Sequence, residues 1–157
     1  RSPGPIGAVL ADPTVVAGVI ADGVHVDPVA VRMAWQALGP ARLNLVSDAV
    51  SALGMPHGRL HVGRLQIDLD GTGVRTTDGV LAGSSLALDQ AVRNLIEWTG
   101  CTLAQAIATT TSIPADLLGL TDRGRLRVGS RADLVILDEN ASLHSTIIGG
   151  ATAWHAN

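Results

Sequence analysis

The sequence predicts an α/β fold, and two observations near its N-terminal end carry that prediction. Residues 15–20 are a continuous β-prone apolar run, typical of a strand buried on both faces, and residues 43–46 indicate a second buried strand. Residues 27–39 between them read as a helix, with an Asp-Pro start and a glycine at the end. A strand, a helix and a strand joined by short connections form a parallel βαβ unit.

The rest of the chain predicts an antiparallel insert, a helical stretch and a strand-rich tail. Residues 60–80 alternate apolar and polar side chains around two Asp-Gly turns, a pattern that indicates a hairpin. Ser84 or Ser85 is predicted to cap a helix that runs to about residue 99. The other predicted elements are helices over 6–10, 103–111 and 113–119, and short strands over 126–128, 132–137, 145–148 and 151–154.

Composition and charge argue against several functional classes. The net charge of −3 gives no basic surface for nucleic acid or for an acidic membrane. No apolar run reaches the roughly 18 residues of a spanning helix, and no signal peptide is visible. The single cysteine, Cys101, excludes a disulfide framework and favours a reducing, cytoplasmic location. Because the first residue is Arg1 and not Met, we expect that an N-terminal part has been removed.

Polar side chains that could carry chemistry follow the two predicted buried strands. Asp22 and His25 come after the first strand, and Asp48 comes after the second. Catalytic groups in parallel α/β folds usually lie at such strand ends. An aspartate there can serve as a general base or lie near a metal, but capping a helix or forming a turn is the more frequent role. The residues alone leave both interpretations open.

Other polar candidates favour structural roles. The turn at residues 83–85 could offer free backbone N–H groups to an anion, although most such turns only cap a helix. Cys101 has no histidine partner in sequence and is predicted to pack in the core. The remaining histidines lack any shared spacing and are predicted to be surface residues; they are His57, His61, His144 and His155.

Four segments, taken in chain order, resemble the N-acetylglucosamine-6-phosphate deacetylases. They are RSPG at residues 1–4, IADGVHV at 20–26, LVSDA at 45–49 and LAGSS at 81–85. The family's segments read close to R-E-P-G, I-A-D-G-H/L-H, L-V-T-D-A and L-A-G-S, so Ser2 and Ser47 are mild departures. Residues 124–135 are similar to the closing strands of amidohydrolases in general. One tetrapeptide is a weak indication, but four in order along nearly the whole chain are specific.

The resemblance implies a fold in which this chain is one part. Its members have a (β/α)8 metal-dependent hydrolase barrel and a small β-sandwich domain. Residues 1–122 would be the C-terminal part of the barrel, with a β-hairpin insert at about 60–80. Residues 123–157 would be the C-terminal strands of the β-sandwich.

The resemblance also implies a reaction, the hydrolysis of the acetamide of N-acetylglucosamine 6-phosphate to glucosamine 6-phosphate and acetate. Asp48 matches the catalytic aspartate, which takes a proton from the attacking water and returns one to the departing amine. His25 matches a substrate-binding histidine, and Arg1 an arginine whose guanidinium can meet two phosphate oxygens. The other matches to substrate-binding positions are Asp22, Gly23, Val24, Leu81, Ala82 and Gly83.

Family members use a divalent metal, usually zinc, which polarises the amide carbonyl and activates water. Its ligands, a Glu and two His, lie on earlier barrel strands that have no counterpart here. We therefore expect no metal site in this chain and no activity from the chain alone. For the whole enzyme the resemblance implies a homodimer that acts on an amino-sugar phosphate.

Two alternatives remain open at this point. A different metal-dependent amidohydrolase, such as a dihydroorotase-like enzyme, would fit the closing strands equally well, but would leave Arg1 and the 81–83 loop without a role. A non-catalytic module that pairs with another chain would also fit the length of 157 residues.

Overall fold

The predicted βαβ unit contains the main hydrophobic core. The computed structural model describes residues 2–71 and 73–156. Its first elements, in chain order, are α1 (Gly4–Ala11), β1 (Ala17–Val19), α2 (Pro28–Leu38) and β2 (Leu43–Leu45). Strands β1 and β2 pair in parallel, with Ala17 opposite Leu43 and Val19 opposite Leu45. The α/β prediction is therefore confirmed.

Local sequence signals explain where α2 begins and ends. The Asp27 side chain accepts a hydrogen bond from the Val29 N–H at 2.8 Å, so it caps the first turn as predicted. Gly39 ends the helix with a φ of 69°, a value that glycine adopts without steric cost. The side chains of Val31 and Leu38 are buried, and Val31 belongs to the same core cluster as residues of the two parallel strands.

The insert between β2 and the next helix is a three-stranded antiparallel sheet in the order β3-β4-β5, not a single hairpin. Its strands are β3 (Gly58–Val62), β4 (Leu65–Asp70) and β5 (Gly73–Thr76). The alternation predicted from sequence holds, since Ile67, Leu69 and Val74 are buried and form a small second core with Ala52. The prediction missed the tight turn at Gly63, which has a φ of 59° and separates β3 from β4.

Three helices follow, and the predicted start of the first one is wrong. They are α3 (Leu88–Thr99), α4 (Leu103–Ala108) and α5 (Ser112–Leu117). The N-cap of α3 is Ala87, which makes no side-chain capping bond, so neither Ser84 nor Ser85 caps it. Helix α3 instead packs Val92 and Leu95 into the core beside β2.

The tail forms a second three-stranded antiparallel sheet in the order β6-β7-β8. Its strands are β6 (Leu134–Leu137), β7 (Leu143–Ile148) and β8 (Ala151–His155). The strand predicted at residues 126–128 is wrong, because Leu126 is 86% exposed and that segment pairs with no strand in the described residues. Within the described part of the chain, no helix combines the length and the hydropathy needed to cross a bilayer.

Candidate functional site

Asp48 lies just beyond the C-terminal end of β2, in a backbone conformation that is uncommon for a residue with a side chain. Its φ is +50°, in the left-handed region that aspartate tolerates better than most residues. The side chain is exposed, and its carboxylate forms no hydrogen bond or ion pair with any described residue. Among the described residues no helix starts between Asp48 and Leu88, so Asp48 caps none. The capping interpretation of Asp48 is therefore wrong.

The chain segment around Ser84 holds the Asp48 backbone in place. The Ser84 N–H donates to the Asp48 carbonyl at 2.8 Å, and the Ser84 hydroxyl donates to the Ser47 carbonyl. Ser84 is 2% exposed, and its oxygen also accepts from the Leu86 N–H. The Ser84 N–H is therefore not available to an anion. The function of the segment is to fix the loop that carries Asp48.

Gly83 allows this close approach. Its φ is +86°, and a Cβ placed there would lie 2.5 Å from Val50 Cγ1 and 3.0 Å from the Asp48 carbonyl oxygen. Only glycine fits beside the Asp48 loop in this conformation. The predicted substrate-binding loop at residues 81–83 and the predicted catalytic aspartate are therefore direct neighbours.

Asp22 and His25 form a hydrogen-bonded pair in the loop after β1. The Asp22 Oδ2 atom lies 2.7 Å from His25 Nδ1, while Asp22 Oδ1 accepts from the N–H groups of Val24 and His25 at 2.9 and 2.8 Å. The two side chains are 12% and 16% exposed. Burial acts to raise the pKa of Asp22, but the His25 side chain and the two backbone N–H groups outweigh it and hold that pKa below its ordinary value.

Two residues of α3 support this loop, and the sequence analysis did not predict their role. The Asn94 side-chain N–H donates to the Ala21 carbonyl at 2.8 Å. The Trp98 ring lies against Gly23, where an added Cβ would come within 3.7 Å of it. Asn94 follows Ala91 by three residues and precedes Trp98 by four, so a polar side chain stands on the inward stripe of the helix. A polar residue on this otherwise apolar helix face was the sequence feature that could have indicated Asn94.

The loop after β1 also reaches the 81–83 loop, through β5. A Cβ on Gly73 would lie 3.0 Å from Val24 Cγ1 and 3.7 Å from Leu81 Cδ2, so both side chains pack over that glycine. Val24 and Leu81 therefore meet at Gly73, and Gly83, two residues after Leu81, lies beside the Asp48 carbonyl. Arg1, predicted to contact phosphate, lies outside the described residues.

The other candidates lie where the sequence predicted. Cys101 is 8% exposed and belongs to the main core, so its packing role is confirmed. The four remaining histidines are all exposed, which confirms that they are surface residues; they are His57, His61, His144 and His155.

Comparison with known proteins defines the family. The model of the amidohydrolase family matches residues 6–153, which is nearly the entire chain. This chain belongs to the amidohydrolase family. The N-acetylglucosamine-6-phosphate deacetylase of Lysinibacillus sphaericus is 39% identical over 150 residues, a match that covers 96% of this chain and 39% of the relative.

Two further relatives of this amidohydrolase are informative. The N-acetylgalactosamine-6-phosphate deacetylase of Escherichia coli O157:H7 is 40% identical over 154 residues, covering 98% of this chain and 41% of the relative. The crystal structure of N-acetylglucosamine-6-phosphate deacetylase from Thermotoga maritima superposes with a TM-score of 0.91 at 35% identity, covering 98% of this chain and 42% of that one. The chain thus spans about two fifths of the length of these relatives.

Amidohydrolases are generally metal-dependent, so the donor set of this chain is relevant. Among residues 2–71 and 73–156, no three His, Cys, Asp or Glu side chains converge in a way that could hold an ion. Asp22 and His25 bond to each other, and Asp48 belongs to no group of three such side chains among the described residues. The described residues do not form a complete metal site.

Proposed function

We propose that this chain supplies the acid–base aspartate and one wall of the substrate site of an N-acetylglucosamine-6-phosphate deacetylase. The reaction hydrolyses the acetamide of the sugar phosphate to glucosamine 6-phosphate and acetate. The observation that carries the proposal is the Asp48 carboxylate, which is exposed at a strand end, on a strained backbone, and without a bonding partner among the described residues. Strain that the surroundings maintain at a polar residue is typical of functional sites.

The chemical role of Asp48 follows from its freedom to accept a proton. As a carboxylate it takes a proton from the water that attacks the amide carbon, and as the acid it returns that proton to the departing amine. Substrate contacts then come from the surrounding loops and, in our proposal, from these residues: Arg1, Asp22, Gly23, Val24, His25, Leu81, Ala82 and Gly83. The contact of Val24 and Leu81 across Gly73 supports their role in one common wall.

We propose the following division of the fold. Residues 1–122 are the C-terminal part of a (β/α)8 barrel, with the β3-β4-β5 sheet as an insert, and residues 123–157 are strands of a β-sandwich. The parallel pairing of β1 and β2 around α2 supports the first assignment. The antiparallel order β6-β7-β8, with exposed apolar side chains such as Val135 and Ile148, supports the second.

The whole enzyme would need groups that this chain does not supply. We propose that it holds a divalent metal, zinc being the first choice, through residues outside this chain. We also propose that the enzyme is a cytoplasmic homodimer. The free, buried Cys101 supports a reducing compartment, and the dimer rests on the family resemblance.

The experiment is a chimera in which the part of the Lysinibacillus sphaericus relative that this chain does not match is joined ahead of residues 1–157. We expect the chimera to release acetate from N-acetylglucosamine 6-phosphate and the chain alone to release none. Asp48→Asn should lower kcat by about two to four orders of magnitude, the usual range for the loss of an acid–base group. Glu97→Gln, an exposed carboxylate on α3, is the matched control and should leave kcat unchanged.

The relative from Escherichia coli O157:H7 favours a second candidate substrate, N-acetylgalactosamine 6-phosphate. The two sugars differ only in the orientation of one hydroxyl group, so both should be assayed side by side. A larger kcat/KM for the galactosamine compound would assign the chain to that substrate. Normal kcat in the Asp48→Asn chimera would contradict the proposed role of Asp48.

A further inference from the structure

We propose that Asp22 is a positioning residue that holds the imidazole of His25 in one tautomer, with the proton on Nδ1, so that Nε2 is the nitrogen left for substrate. The inference deepens the proposed function, because it rests on His25 contacting the sugar phosphate. It also changes the role of Asp22, which then acts through His25 and does not itself bind substrate.

The hydrogen bonds of Asp22 carry the first step of the argument. Its Oδ1 atom already accepts two backbone N–H groups, those of Val24 and His25. Its Oδ2 atom lies 2.7 Å from His25 Nδ1. A carboxylate oxygen has about two lone-pair sites, so Oδ1 has none left and Oδ2 has one. With a side chain that is 12% exposed, Asp22 offers little to an external ligand.

The protonation state of Asp22 determines the tautomer of His25. The pKa of Asp22 lies below its ordinary value, so near neutral pH this residue is an ionised carboxylate that only accepts hydrogen bonds. The nitrogen facing it must therefore carry a proton. Any second proton on the ring goes to Nε2, which can then donate to an anionic phosphate while the bond to Asp22 persists.

The loop is held firmly enough for this pairing to be persistent. Asn94 binds the Ala21 carbonyl immediately before Asp22, and Gln90 donates to the Asn94 side-chain oxygen at 2.7 Å. On the other side, the Trp98 ring packs against Gly23. Two contacts from α3 thus fix the backbone that orients both members of the pair.

The test is ¹⁵N NMR spectroscopy of the imidazole rings in the labelled chain at about pH 8.5, where the signals of neutral rings report which nitrogen carries the proton. The signal lost in His25→Gln identifies the ring. We expect the Nδ1–H form of His25 in at least about tenfold excess, the ratio for a hydrogen bond to a charged acceptor. The exposed rings of His57, His61 and His144 report the tautomer ratio of an unconstrained imidazole in the same sample.

Asp22→Asn gives the sharper result. Its amide oxygen can still accept the two backbone N–H groups, but an N–H donor now faces His25 Nδ1, so the ring should switch to the Nε2–H form. Asp12→Asn is the matched control, since Asp12 accepts the Thr14 N–H at 2.9 Å in a similar turn that contains no histidine. It should leave the His25 tautomer unchanged.

Two results would overturn the inference: a His25 ring in wild type with the tautomer ratio of the exposed rings, or an Nδ1–H ring that persists in Asp22→Asn. If Asp22→Asn loses its dispersed amide spectrum, the wild-type ratio decides alone. Because the readout is the tautomer and not turnover, an inactive chimera would contradict the proposed function and leave this result standing.

Discussion

The helix-covered unit (β1, β2, α2, α3 and α4) and the C-terminal region (residues 123–156) are both rich in aliphatic side chains, but the unit buries its large ones while several in the C-terminal region are exposed. In the unit, Val31, Leu43 and Leu95 are each 0% exposed. In the C-terminal region, Leu126 is 86% and Val135 60% exposed. The two regions differ in whether a second layer of structure covers the apolar face.

This difference teaches that hydrophobic sequence predicts burial only where a partner layer is available. A sheet or a helix buries its apolar face against another element, and the unit has α2 and α3 packed on its two strands. In the C-terminal region, Arg93 of α3 donates to the Ala141 carbonyl at 2.9 Å, but large apolar side chains such as Leu126 and Val135 remain exposed. The stability of the chain should therefore depend mainly on the unit.

The largest expected effect tests this difference directly. Leu95→Ala should lower the free energy of unfolding by about 2–5 kcal/mol, because it leaves a cavity in a filled core. Leu126→Ala removes the same atoms from an exposed position and should change it by no more than about 0.5 kcal/mol. Urea titration followed by circular dichroism measures both. If the two variants lose equal free energy of unfolding, Leu126 is buried in solution, and the two regions do not differ in burial.

The next effect concerns the junction between α5 and the C-terminal region at Gly124, where the two pack closely. A Cβ on Gly124 would lie 2.6 Å from Ala115 Cβ and 2.8 Å from the Thr111 carbonyl oxygen, whereas nothing lies within 4 Å of one on Gly129. Both glycines have positive φ, 79° and 85°. Gly129→Ala should therefore lower the free energy of unfolding by only about 1–2 kcal/mol, the strain of placing alanine at a positive φ.

Gly124→Ala should lower the free energy of unfolding by about 1–3 kcal/mol more than Gly129→Ala does, because the added methyl group clashes with α5 and forces it away from the C-terminal region. The same urea titrations give the difference between the two variants. If the two glycine variants are equally stable, the junction is loose and the C-terminal region is independent of α5.

A smaller effect concerns the cap of α4. The Thr102 hydroxyl accepts from the Gln105 N–H, and the Gln105 side chain accepts from the Thr102 N–H, so the two residues form a capping box. Thr102→Ala should destabilise the chain by about 1 kcal/mol. Thr152→Ala, at an exposed position of β8, should change the free energy of unfolding by no more than about 0.5 kcal/mol. A cap that mattered no more than Thr152 would indicate that α4 is frayed in solution.

The smallest effect concerns two carboxylates whose pKa values lie below the ordinary value for different reasons. For Asp116 the main cause is the hydrogen bond from Arg125, which joins α5 to the C-terminal region on an exposed surface. For Asp22, burial opposes the shift, while the hydrogen bonds from His25 and two backbone N–H groups produce it. Each depressed pKa adds stability above about pH 4, the unfolded value, that is lost as pH falls through the folded value.

Salt should separate the two carboxylates. At about 1 M salt the screening length is about 3 Å, so the pKa of Asp116 should rise toward its ordinary value. The pKa of Asp22 should move less, because its bonds are partly buried and two of its donors are neutral. Carboxyl-carbon NMR titrations at low and high salt measure both, and parallel movement of the two values would contradict this account.

Local sequence determined those elements whose start and end signals lie within a few residues. Helix α2 is an example, because its Asp27 cap and its terminal Gly39 are adjacent to the residues they act on. Strand pairing could not be read in this way. The segment 126–128 has the composition of a strand, but it forms none, since a strand also needs a neighbour with free backbone groups at the right distance.

The same division holds for the candidate site. The sequence alone identified Asp22, His25 and Asp48 as polar residues at the ends of buried strands, and its resemblance to one family indicated the chemistry. Only the tertiary structure decided that Ser84 fixes the Asp48 loop instead of capping α3, and that Asn94 supports the loop of Asp22. Those contacts join residues 37 and 73 positions apart, and such pairings depend on how helices and strands pack, which no local pattern encodes.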